Sequence, residues 1–469
     1  MKKILLALLV LFLAFSFTAC DGEEPYEPPV ETPPVEAPPV ETPPVETPPE
    51  SEGGTLEIWS FTDEVPSMVT RFFELNPDLA ALYNYNVTII PTTDGLYQPA
   101  LDAALVAGGD SAPDLFTAES AFVLKYTQGE MSHFAAPYYQ LGIDTTNAIA
   151  AAQIAPYTVE IGTRPSDGQV VALGYQATGG AFIYRRSIAE EVFGSDDPAT
   201  VEEAIGAGSG NWDTFWEAAA QLEAAGYSIV SGDGDVWHAV NNSSRTPWIV
   251  NDQLVIDPNR EAFLDISYNL MANNWHNNTE DWTDPWFADM RGEGATPAFG
   301  FFGPAWLINY VMADNTDETN TYGDWALARP PVGFFWGGTW VMANTNSEHL
   351  SVLGRILEWI TLDTTTDGLL YMWANGTFNP DNPTKDVVSS GVVMDMSDGT
   401  VAFLGGQDMF DIFIPAGTYA RTDAMTPYDE DINSIWRDAV RAYAAGTMTR
   451  DEAIEFFRGE VYDTLGFAS

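Results

Sequence analysis

The chain has 469 residues, of which 45% are hydrophobic, so it is longer than one ordinary domain and can bury large cores. Its 18 Lys and Arg stand against 68 Asp and Glu, a formal net charge of −50, which argues against binding of nucleic acid through backbone phosphates. The 13% aromatic content excludes a disordered acidic chain, and the single cysteine, Cys20, excludes disulfide frameworks and cysteine metal sites.

The N-terminal segment has the pattern of an export signal. Met1-Lys2-Lys3 is basic, and residues 4–17 are an unbroken run of apolar or small residues that is too short for a mature membrane span. Small residues then precede Cys20, as in a bacterial lipobox. We predict that residues 1–19 are a lipoprotein signal peptide and that Cys20 is lipidated, so that acyl chains anchor the protein at the outer face of the cytoplasmic membrane. The alternative is an ordinary signal peptide with a buried cysteine near its cleavage site.

Residues 20–54 carry the lipidated cysteine and a Pro/Glu-rich spacer. The pattern Val30-Glu31-Thr32-Pro33-Pro34 recurs with a period of five residues as far as residue 49. Paired prolines favour polyproline II, and the like charge in each repeat opposes collapse, so at ~3.1 Å per residue the spacer reaches roughly 100 Å.

The first part of the body alternates strands and helices. Residues 55–61, 86–91 and 112–116 are predicted strands, and residues 68–75 and 97–107 are predicted helices. This βαβαβ order predicts a parallel sheet with right-handed crossovers. Ligands bind beyond the carboxyl ends of such strands, which selects the loops 60–65 and 117–120.

The second part of the body continues with a strand over residues 180–185 and a helix that begins at an Asn211 N-cap and ends at Gly226. Near the C-terminus, apolar residues at helical spacing over 432–443 are stopped by Gly446. Thr449-Arg450-Asp451-Glu452 is a capping box that opens a last helix. The body is therefore predicted to form two α/β lobes with a helical C-terminus.

Several segments, in this order, resemble one protein family. They are Ala112-Pro113-Asp114-Leu115-Phe116, residues 179–187 with 190–194, Asn211-Trp212-Asp213-Thr214-Phe215, Phe302-Gly303-Pro304-Ala305-Trp306, residues 323–331 with 337–342, and residues 443–449. Their order and spacing over residues 55–469 resemble the extracellular solute-binding proteins of bacterial ABC importers, in the carbohydrate-binding family that includes the maltose-binding protein. The chain departs from the family where the proline before the Asn211-Trp212 segment is missing and residues 199–210 look like a small insertion.

The resemblance implies a two-lobed clamp of the periplasmic-binding-protein type (type II), with parallel-sheet lobes, a multi-crossover hinge and a helical C-terminus. The first lobe would comprise 55–178 and 340–405, and the second 179–339 and 410–469. The chain would cross between them near 178–181, 335–339 and 405–411. The implied function is capture of a mono- or oligosaccharide between the lobes and delivery to the permease subunits of an ABC transporter. It implies a monomer that is not an enzyme and has no cofactor.

A sugar has apolar C–H faces that stack on aromatic rings and hydroxyl groups that need polar partners. The aromatic candidates are Trp237, which shares a Gly/Asp-rich turn with Asp235, then Trp306 after Gly303-Pro304, and Trp336 and Trp340 at the second crossing. The alternative for each tryptophan is packing within a lobe or at the hinge.

The polar candidates come from strand ends and crossings, because those loops face the cleft of such a clamp. Carboxylates that accept sugar hydroxyls make strong, charge-assisted hydrogen bonds. The polar candidates are Asp63 and Glu64 (with Thr62), Glu119, Gln176 (with Thr178) and Asp408 (with Gln407), and the further aromatic candidates are Tyr97 and Trp373.

Other functions stay open at this stage. The same clamp could bind a peptide, a polyamine or a metal, and an extracellular glycan-active enzyme or an adhesin is a further alternative. The sequence has no G-x-S-x-G, H-E-x-x-H or P-loop motif, and its four histidines are not at ligand spacing, so no metal site is predicted. The acidic runs 314–318 and 429–431 are predicted to be solvated turns.

The charge is concentrated in the body. The spacer holds 10 acidic residues and the leader two lysines, which leaves 58 acidic and 16 basic residues in the body, a net charge of −42. We interpret this acidic surface as a means of solubility in an extracytoplasmic and salty environment.

Overall fold

A computed structural model of the chain describes residues 53–109 and 111–468, together with Val45 and Pro48. The predicted signal peptide, Cys20 and most of the spacer lie outside the described residues. Within the part that is described, no helix has the length and apolar character needed to cross a membrane.

Strands and helices alternate along the body. The strands are β1 Gly54–Ser60, β2 Tyr83–Ile89, β3 Leu115–Glu119, β4 Thr163–Arg164, β5 Gln169–Val170, β6 Leu173–Gly174, β7 Ala181–Arg185, β8 Ser228–Val230, β9 Ile249–Val250, β10 Gln253–Leu254, β11 Ala298–Gly303, β12 Trp325–Ala328 and β13 Thr339–Ala343.

The helices are α1 Glu64–Leu75, α2 Pro77–Ala80, α3 Tyr97–Ala107, α4 Val123–Thr127, α5 Thr145–Ala152, α6 Pro156–Ile161, α7 Arg186–Phe193, α8 Pro198–Ile205, α9 Asp213–Ala225, α10 Gly234–Asn242, α11 Pro258–Ala272, α12 Asp284–Met290, α13 Ala305–Leu307, α14 Ala313–Asn315, α15 Leu350–Thr361, α16 Leu369–Ala374, α17 Gly391–Asp395, α18 Phe410–Tyr419, α19 Asp429–Ala444 and α20 Arg450–Leu465. Four short 3-10 turns are described at Thr92–Asp94, Ser132–Phe134, Tyr138–Leu141 and Ala402–Leu404, and Ile308–Met312 is a π-helix between α13 and α14.

The first lobe is built on a five-stranded sheet in the order β2-β1-β3-β13-β6. Strands β1, β2 and β3 are parallel, as the βαβαβ pattern predicts, whereas β13 runs antiparallel to β3 and β6. Helix α1 begins at Glu64, four residues before the predicted start, because Pro66 lies in the first turn, where no helical N–H bond is needed. Strand β2 likewise begins three residues earlier than predicted.

The second lobe is built on a four-stranded sheet in the order β12-β7-β11-β8. Only β11 and β8 are parallel, and β7 is antiparallel to both of its neighbours. The predicted α/β architecture is confirmed, but the expectation of purely parallel sheets is corrected. Strands β7 and β13 enter from the other lobe rather than through a crossover helix on their own sheet, so the crossover rule does not set their direction.

The C-terminal helices pack on the second lobe. Ile432, Trp436 and Phe457 are fully buried in its core, as their helical spacing predicts. The capping box is present: Glu452 N donates to Thr449 Oγ1 at 3.3 Å, and Thr449 N donates to Glu452 Oε2 at 2.8 Å. Helix α9 is preceded by Asn211, whose Oδ1 accepts from Asp213 N at 3.0 Å, the hydrogen bond expected of the predicted Asn211 N-cap, whereas the Trp212 side chain makes no cap bond.

The chain leaves the first sheet after β6 and returns to it at β13, so two hinge segments run side by side. They are hydrogen-bonded to each other: Trp336 N donates to Thr178 O at 3.1 Å and Gly180 N donates to Phe334 O at 2.9 Å. A Cβ on Gly180 would lie 2.0 Å from the Phe334 ring, so this approach requires glycine. The exact lobe limits given above stay a prediction.

Candidate ligand-binding cleft

The carboxyl ends of strands from both lobes meet beside the hinge. Glu64 and Glu119 follow β1 and end β3 in the first lobe, while Trp306 follows β11 in the second. Trp306 and Glu119 approach Gly337 of the hinge: a Cβ built there would lie 3.1 Å from Trp306 Nε1 and 3.6 Å from Glu119 Oε1. Gly337 has a φ of 76°, which only glycine adopts readily, so the backbone passes close to the polar groups as the glycine pair predicts.

One side of this cleft is aromatic. The Trp336 ring stacks on His238 at 4.3 Å and 19°, and meets Trp306 edge-on at 4.8 Å and 71°. The indole N–H of Trp306 donates to Trp336 O at 3.0 Å, which fixes both rings. We name Trp282, Trp306 and Trp336 the aromatic wall, because the Trp282 ring lies parallel to that of Trp306 at 5.9 Å and 9°.

His238 is neutral in this setting. Burial, reinforced by the positive charge of Arg437, lowers the pKa of His238 to about 3. The imidazole therefore presents a flat, uncharged face to Trp336, and the sequence analysis did not select it as a site residue.

The cavity that Trp336 and His238 line also carries acidic side chains. This cavity of about 160 Å³ is lined by Glu119, Ser120 and Ala121 from the first lobe, Phe335, Trp336 and Gly337 from the hinge, and His238, Asn241, Asn242, Met425, Asp429, Glu430 and Asn433 from the second lobe. No Lys or Arg is among these lining residues. The two lobes touch at its edge, where Gln98 Nε2 donates to Glu430 Oε2 at 3.2 Å.

Glu119 is oriented before any ligand arrives. Its carboxylate accepts from Ser120 Oγ at 2.8 Å and from Ala121 N at 2.7 Å. Burial nevertheless raises the pKa of Glu119, and burial also raises the pKa of Asp429 to about 6. The prediction of a solvated turn is therefore wrong for residues 429–431, which begin α19, and Asp429 is only 7% exposed. It is also wrong for Asp314 and Asn315, which lie in α14.

A second group of polar side chains lies behind Trp306. Gln176 Nε2 donates to Asp386 Oδ2 and Asn309 Nδ2 donates to Asp386 Oδ1, both at 3.1 Å. Burial raises the pKa of Asp386 to about 7, and the nearby Glu64 charge adds to the rise. Glu64 itself accepts from the Tyr175 hydroxyl, and its burial raises its pKa.

The segment after β11 brings these groups together through an unusual helix. The π-helix Ile308–Met312 follows Trp306 and carries Asn309, whose amide reaches Asp386. π-Helical turns occur often at functional sites, because the extra residue re-aims side chains. The sequence analysis missed Asp386 and Asn309, and nothing in their local pattern separates them from ordinary loop residues.

Of the predicted ligand contacts, Glu119 and Trp336 line the cavity, and Trp306 lies beside it, because its indole N–H donates to Trp336 O. Glu64 accepts from Tyr175 and Gln176 donates to Asp386, and contact of any of these residues with a ligand stays a prediction. Asp63 is exposed beside Glu64 at the start of α1, and Thr178 holds the hinge by donating from Oγ1 to Gly337 O at 2.7 Å.

The structure corrects the placement of Trp237 and Asp235. Trp237 is 2% exposed and packs on Phe263 at 4.9 Å in the core of the second lobe. The turn that was expected to expose it opens α10, and the next residue, His238, faces the cleft instead. Asp235 is also buried, and its carboxylate accepts from Ser231 N at 3.0 Å, Gly232 N at 2.8 Å and Trp286 Nε1 at 3.0 Å.

Trp340 and Asp408 are likewise structural. Trp340 is 1% exposed and donates to Thr158 O at 2.9 Å within the core of the first lobe. Asp408 Oδ1 accepts from Phe410 N at 2.9 Å at the start of α18, and the neighbouring Gln407 bonds the backbone of Leu327 in β12.

The remaining candidates stand as follows. Tyr97 is buried and donates to Thr117 O at 2.7 Å, and Trp373 packs edge-on against Tyr175 at 5.6 Å. Among residues 53–109 and 111–468, no three His, Cys, Asp or Glu side chains are grouped so that they could hold a metal ion.

No protein-family model matches the chain, and no curated protein sequence is similar to it. Solved structures are similar in fold. An extracellular solute-binding protein of family 1 has a TM-score of 0.69 at 18% identity, with 87% of this chain and 99% of that chain covered. The galacto-N-biose-/lacto-N-biose I-binding protein of the ABC transporter from Bifidobacterium longum, in complex with lacto-N-biose, has a TM-score of 0.62 at 15% identity, with 90% and 100% covered.

Maltose-bound MalE3 from T. maritima has a TM-score of 0.57 at 16% identity, with 88% of this chain and 100% of that chain covered. The alignments cover nearly the whole of these proteins. The chain has the two-lobed α/β fold of the extracellular solute-binding proteins.

Proposed function

We propose that the protein is the extracytoplasmic solute-binding component of a bacterial ABC importer, and that it captures a mono- or oligosaccharide between its lobes for delivery to the permease subunits. The observation that carries this proposal is the pairing of an aromatic wall with oriented carboxylates at the hinge. Trp306 and Trp336 offer faces for sugar C–H groups, and Glu119 and Glu64 offer acceptors for hydroxyl groups.

The similar structures support the same proposal. Their names describe proteins bound to lacto-N-biose and maltose, and a further one is bound to β-1,6-galactobiose. They are binding proteins rather than enzymes, and closure of two lobes on a ligand is the known way in which this architecture works. We propose the same for this chain, as a monomer with no catalytic role.

The leader supports a location for this function. We propose that residues 1–19 are removed, that Cys20 is lipidated, and that the spacer holds the two lobes near the permease. Metabolic labelling with a palmitate analogue tests this proposal: wild type should carry the label and remain with membranes, whereas the Cys20→Ser variant should not. A labelled Cys20→Ser variant, or an unlabelled wild type, would contradict it.

The binding proposal is tested by thermal unfolding with a panel of saccharides. A ligand at 100 times its Kd stabilises the folded state by about 2.7 kcal/mol, which raises Tm by a few degrees. The panel is glucose, galactose, tagatose, maltose, maltotriose, β-1,6-galactobiose, β-1,6-galactotriose, lacto-N-biose and acarbose. Trp336→Ala should abolish the shift, whereas the control Trp216→Ala, a half-buried tryptophan that stacks on Trp212 and Trp275, should retain it.

One observation favours a second candidate, a solute that carries a protonated amine. The cavity has three carboxylates (Glu119, Asp429 and Glu430) and no Lys or Arg in its lining. Spermidine and glucosamine therefore belong in the same assay beside glucose. An amine would hold these carboxyl groups ionised and release protons on binding, which calorimetry in buffers of different ionisation enthalpy detects. An increase in Tm with spermidine and with no saccharide would refute the sugar proposal. It would retain the proposal that the two lobes close on a solute.

A further inference from the structure

Trp282 lies at the open end of the aromatic wall, and the sequence analysis did not select it. Its side chain is 53% exposed, and it is the only exposed tryptophan in the part of the chain that the structure describes. An exposed Trp forgoes the burial that normally justifies so large an apolar side chain. Its exposure therefore calls for an account other than packing.

The Trp282 ring extends the cleft outward. It is parallel to the Trp306 ring at 5.9 Å and 9°, and edge-on to Trp336 at 6.2 Å and 73°. Part of its surface rests on Trp306 while the rest faces solvent. The three ring centroids lie 4.8, 5.9 and 6.2 Å apart, so the rings form a compact cluster beside the hinge, and Trp282 is its solvent-exposed member.

The backbone at Trp282 is strained. Its φ is 68°, in the left-handed region that bulky side chains rarely adopt. Such a conformation persists only where the surroundings impose it, and it is concentrated at binding sites. Burial of the indole does not offset this strain, because about half of Trp282 is exposed.

The surroundings of Trp282 do impose this conformation. Glu280 pairs with Arg441 and Asp281 pairs with Arg437, both in α19, so the two residues before Trp282 are fixed to one helix. The Thr283 hydroxyl donates to Glu280 O at 2.6 Å and closes the turn around the tryptophan. The ring is therefore held outward before any ligand is present.

We propose that Trp282 is an outer stacking platform for a second sugar ring, so that the preferred ligand is an oligosaccharide of at least two units. This proposal rests on the proposed sugar-binding function. The cavity that Trp336 lines has a volume of about 160 Å³, which is smaller than the roughly 300 Å³ at which ligand pockets usually begin. A ligand whose first ring lies there against Trp336 extends beyond the cavity, and Trp282 offers an exposed ring 6.2 Å from that of Trp336.

The test compares affinity across ligand length. Isothermal titration is done on wild type, Trp282→Ala and Trp282→Phe with two series: glucose, maltose and maltotriose, and galactose, β-1,6-galactobiose and β-1,6-galactotriose. In the series that binds, Trp282→Ala should raise the Kd of the di- and trisaccharide about threefold to tenfold and leave that of the monosaccharide within about twofold. Trp282→Phe should give an intermediate loss, because it retains a ring.

Two controls separate a platform from a structural role. Tyr462→Ala removes an aromatic residue that is 59% exposed on α20, and it should change no affinity. Trp282→Gly accepts the positive φ without strain, so its Tm should be at least that of Trp282→Ala, although both variants lose the contact with Trp306. Loss of folding in both Trp282→Gly and Trp282→Ala would instead assign a packing role to the ring and overturn the proposal.

The remaining outcomes are also decisive. Equal loss of affinity at every ligand length, no loss at any length, or a wild type that binds the monosaccharide as tightly as the longer sugars would overturn the platform alone. A wild type that binds no saccharide of either series or of the wider panel would remove the proposed function, and the platform with it.

Discussion

The free energy of unfolding of the wild type is expected to fall between pH 5 and pH 7. Replacing Asp386 with asparagine should make this fall much smaller. Burial raises the pKa of Asp386 from 3.8 to about 7, and the neighbouring Glu64 adds to this rise. The folded chain therefore keeps a proton that the unfolded chain releases above about pH 4. The stabilisation by protonated Asp386 is fully present below the pKa of the carboxyl in the unfolded chain. It falls as the pH rises toward the pKa of the same carboxyl in the folded chain.

The magnitude follows from the window. Each pH unit between the two pKa values costs the folded state about 1.4 kcal/mol, so the two units from pH 5 to pH 7 cost ~3 kcal/mol. The side chain of the Asp386→Asn variant would keep a carbonyl oxygen for the donors Asn309 Nδ2 and Val387 N, which lie 3.1 and 2.7 Å from Asp386 Oδ1 in the wild type. The amide of Gln176 can turn to present its oxygen to the new NH2 group, so little is lost at pH 5.

The assay is urea unfolding, followed by tryptophan fluorescence at pH 5, 6, 7 and 8 and constant ionic strength. The free energy of unfolding of wild type should fall by ~3 kcal/mol more than that of Asp386→Asn between pH 5 and pH 7. Asp398→Asn is the control, because hydrogen bonds from Lys385 and Thr400 lower the pKa of Asp398, and its effect is confined to more acidic pH. Parallel curves for wild type and Asp386→Asn would refute the assignment of the raised pKa to burial of this carboxyl.

Three further predictions concern the body of the protein. Trp237→Ala should lower the free energy of unfolding by ~3–5 kcal/mol without a selective loss of ligand affinity, since the ring lies in the core, and urea unfolding with titration of the refolded fraction checks this. Asp235→Ala leaves three donors, including Trp286 Nε1, without an acceptor and should cost about 3 kcal/mol or more in the same assay. Tm should rise steadily with NaCl to molar concentration, because salt screens the repulsion within a body of net charge −42, and a Tm that is unchanged by salt would contradict the interpretation of the acidic surface.

The fold could be predicted from local pattern because each element there is specified by its own residues. Alternation over residues 55–61 predicts β1 to within one residue, and the Thr449–Glu452 capping box predicts the start of α20. What local pattern could not supply was strand direction after a hinge crossing. The orientation of β7 is set by where the chain returns from the other lobe, which is information of long range.

The positions of Glu64 after β1 and of Glu119 at the end of β3 could be predicted from the strand pattern, and their contact with a ligand stays a prediction. The predicted ligand contact of Trp237 is wrong, because a Gly/Asp-rich turn is typical of a surface loop but here begins a helix. The inner face of that helix carries the tryptophan. One residue along a helix is about 100° of rotation, so the ligand-facing position passes to His238. Asp386 was missed because its role depends on Gln176 and Asn309, which are far from it in the chain.

The raised pKa values of the cleft carboxyl groups bear on the kind of ligand. An ionised carboxylate can only accept hydrogen bonds, whereas a protonated carboxyl group also donates one. Glu119 lies in an environment that favours the protonated form, with no Lys or Arg in the cavity lining to hold it ionised, and burial favours the same form of Asp386 beside Gln176 and Asn309. A sugar hydroxyl both donates and accepts, so it can satisfy either form of these groups, and it does so without bringing a charge into a buried space. An anionic ligand would meet acceptors and repulsion there, and for that reason the acidic composition of the chain, the lining of the cavity and the aromatic wall all favour a neutral polyhydroxylated solute.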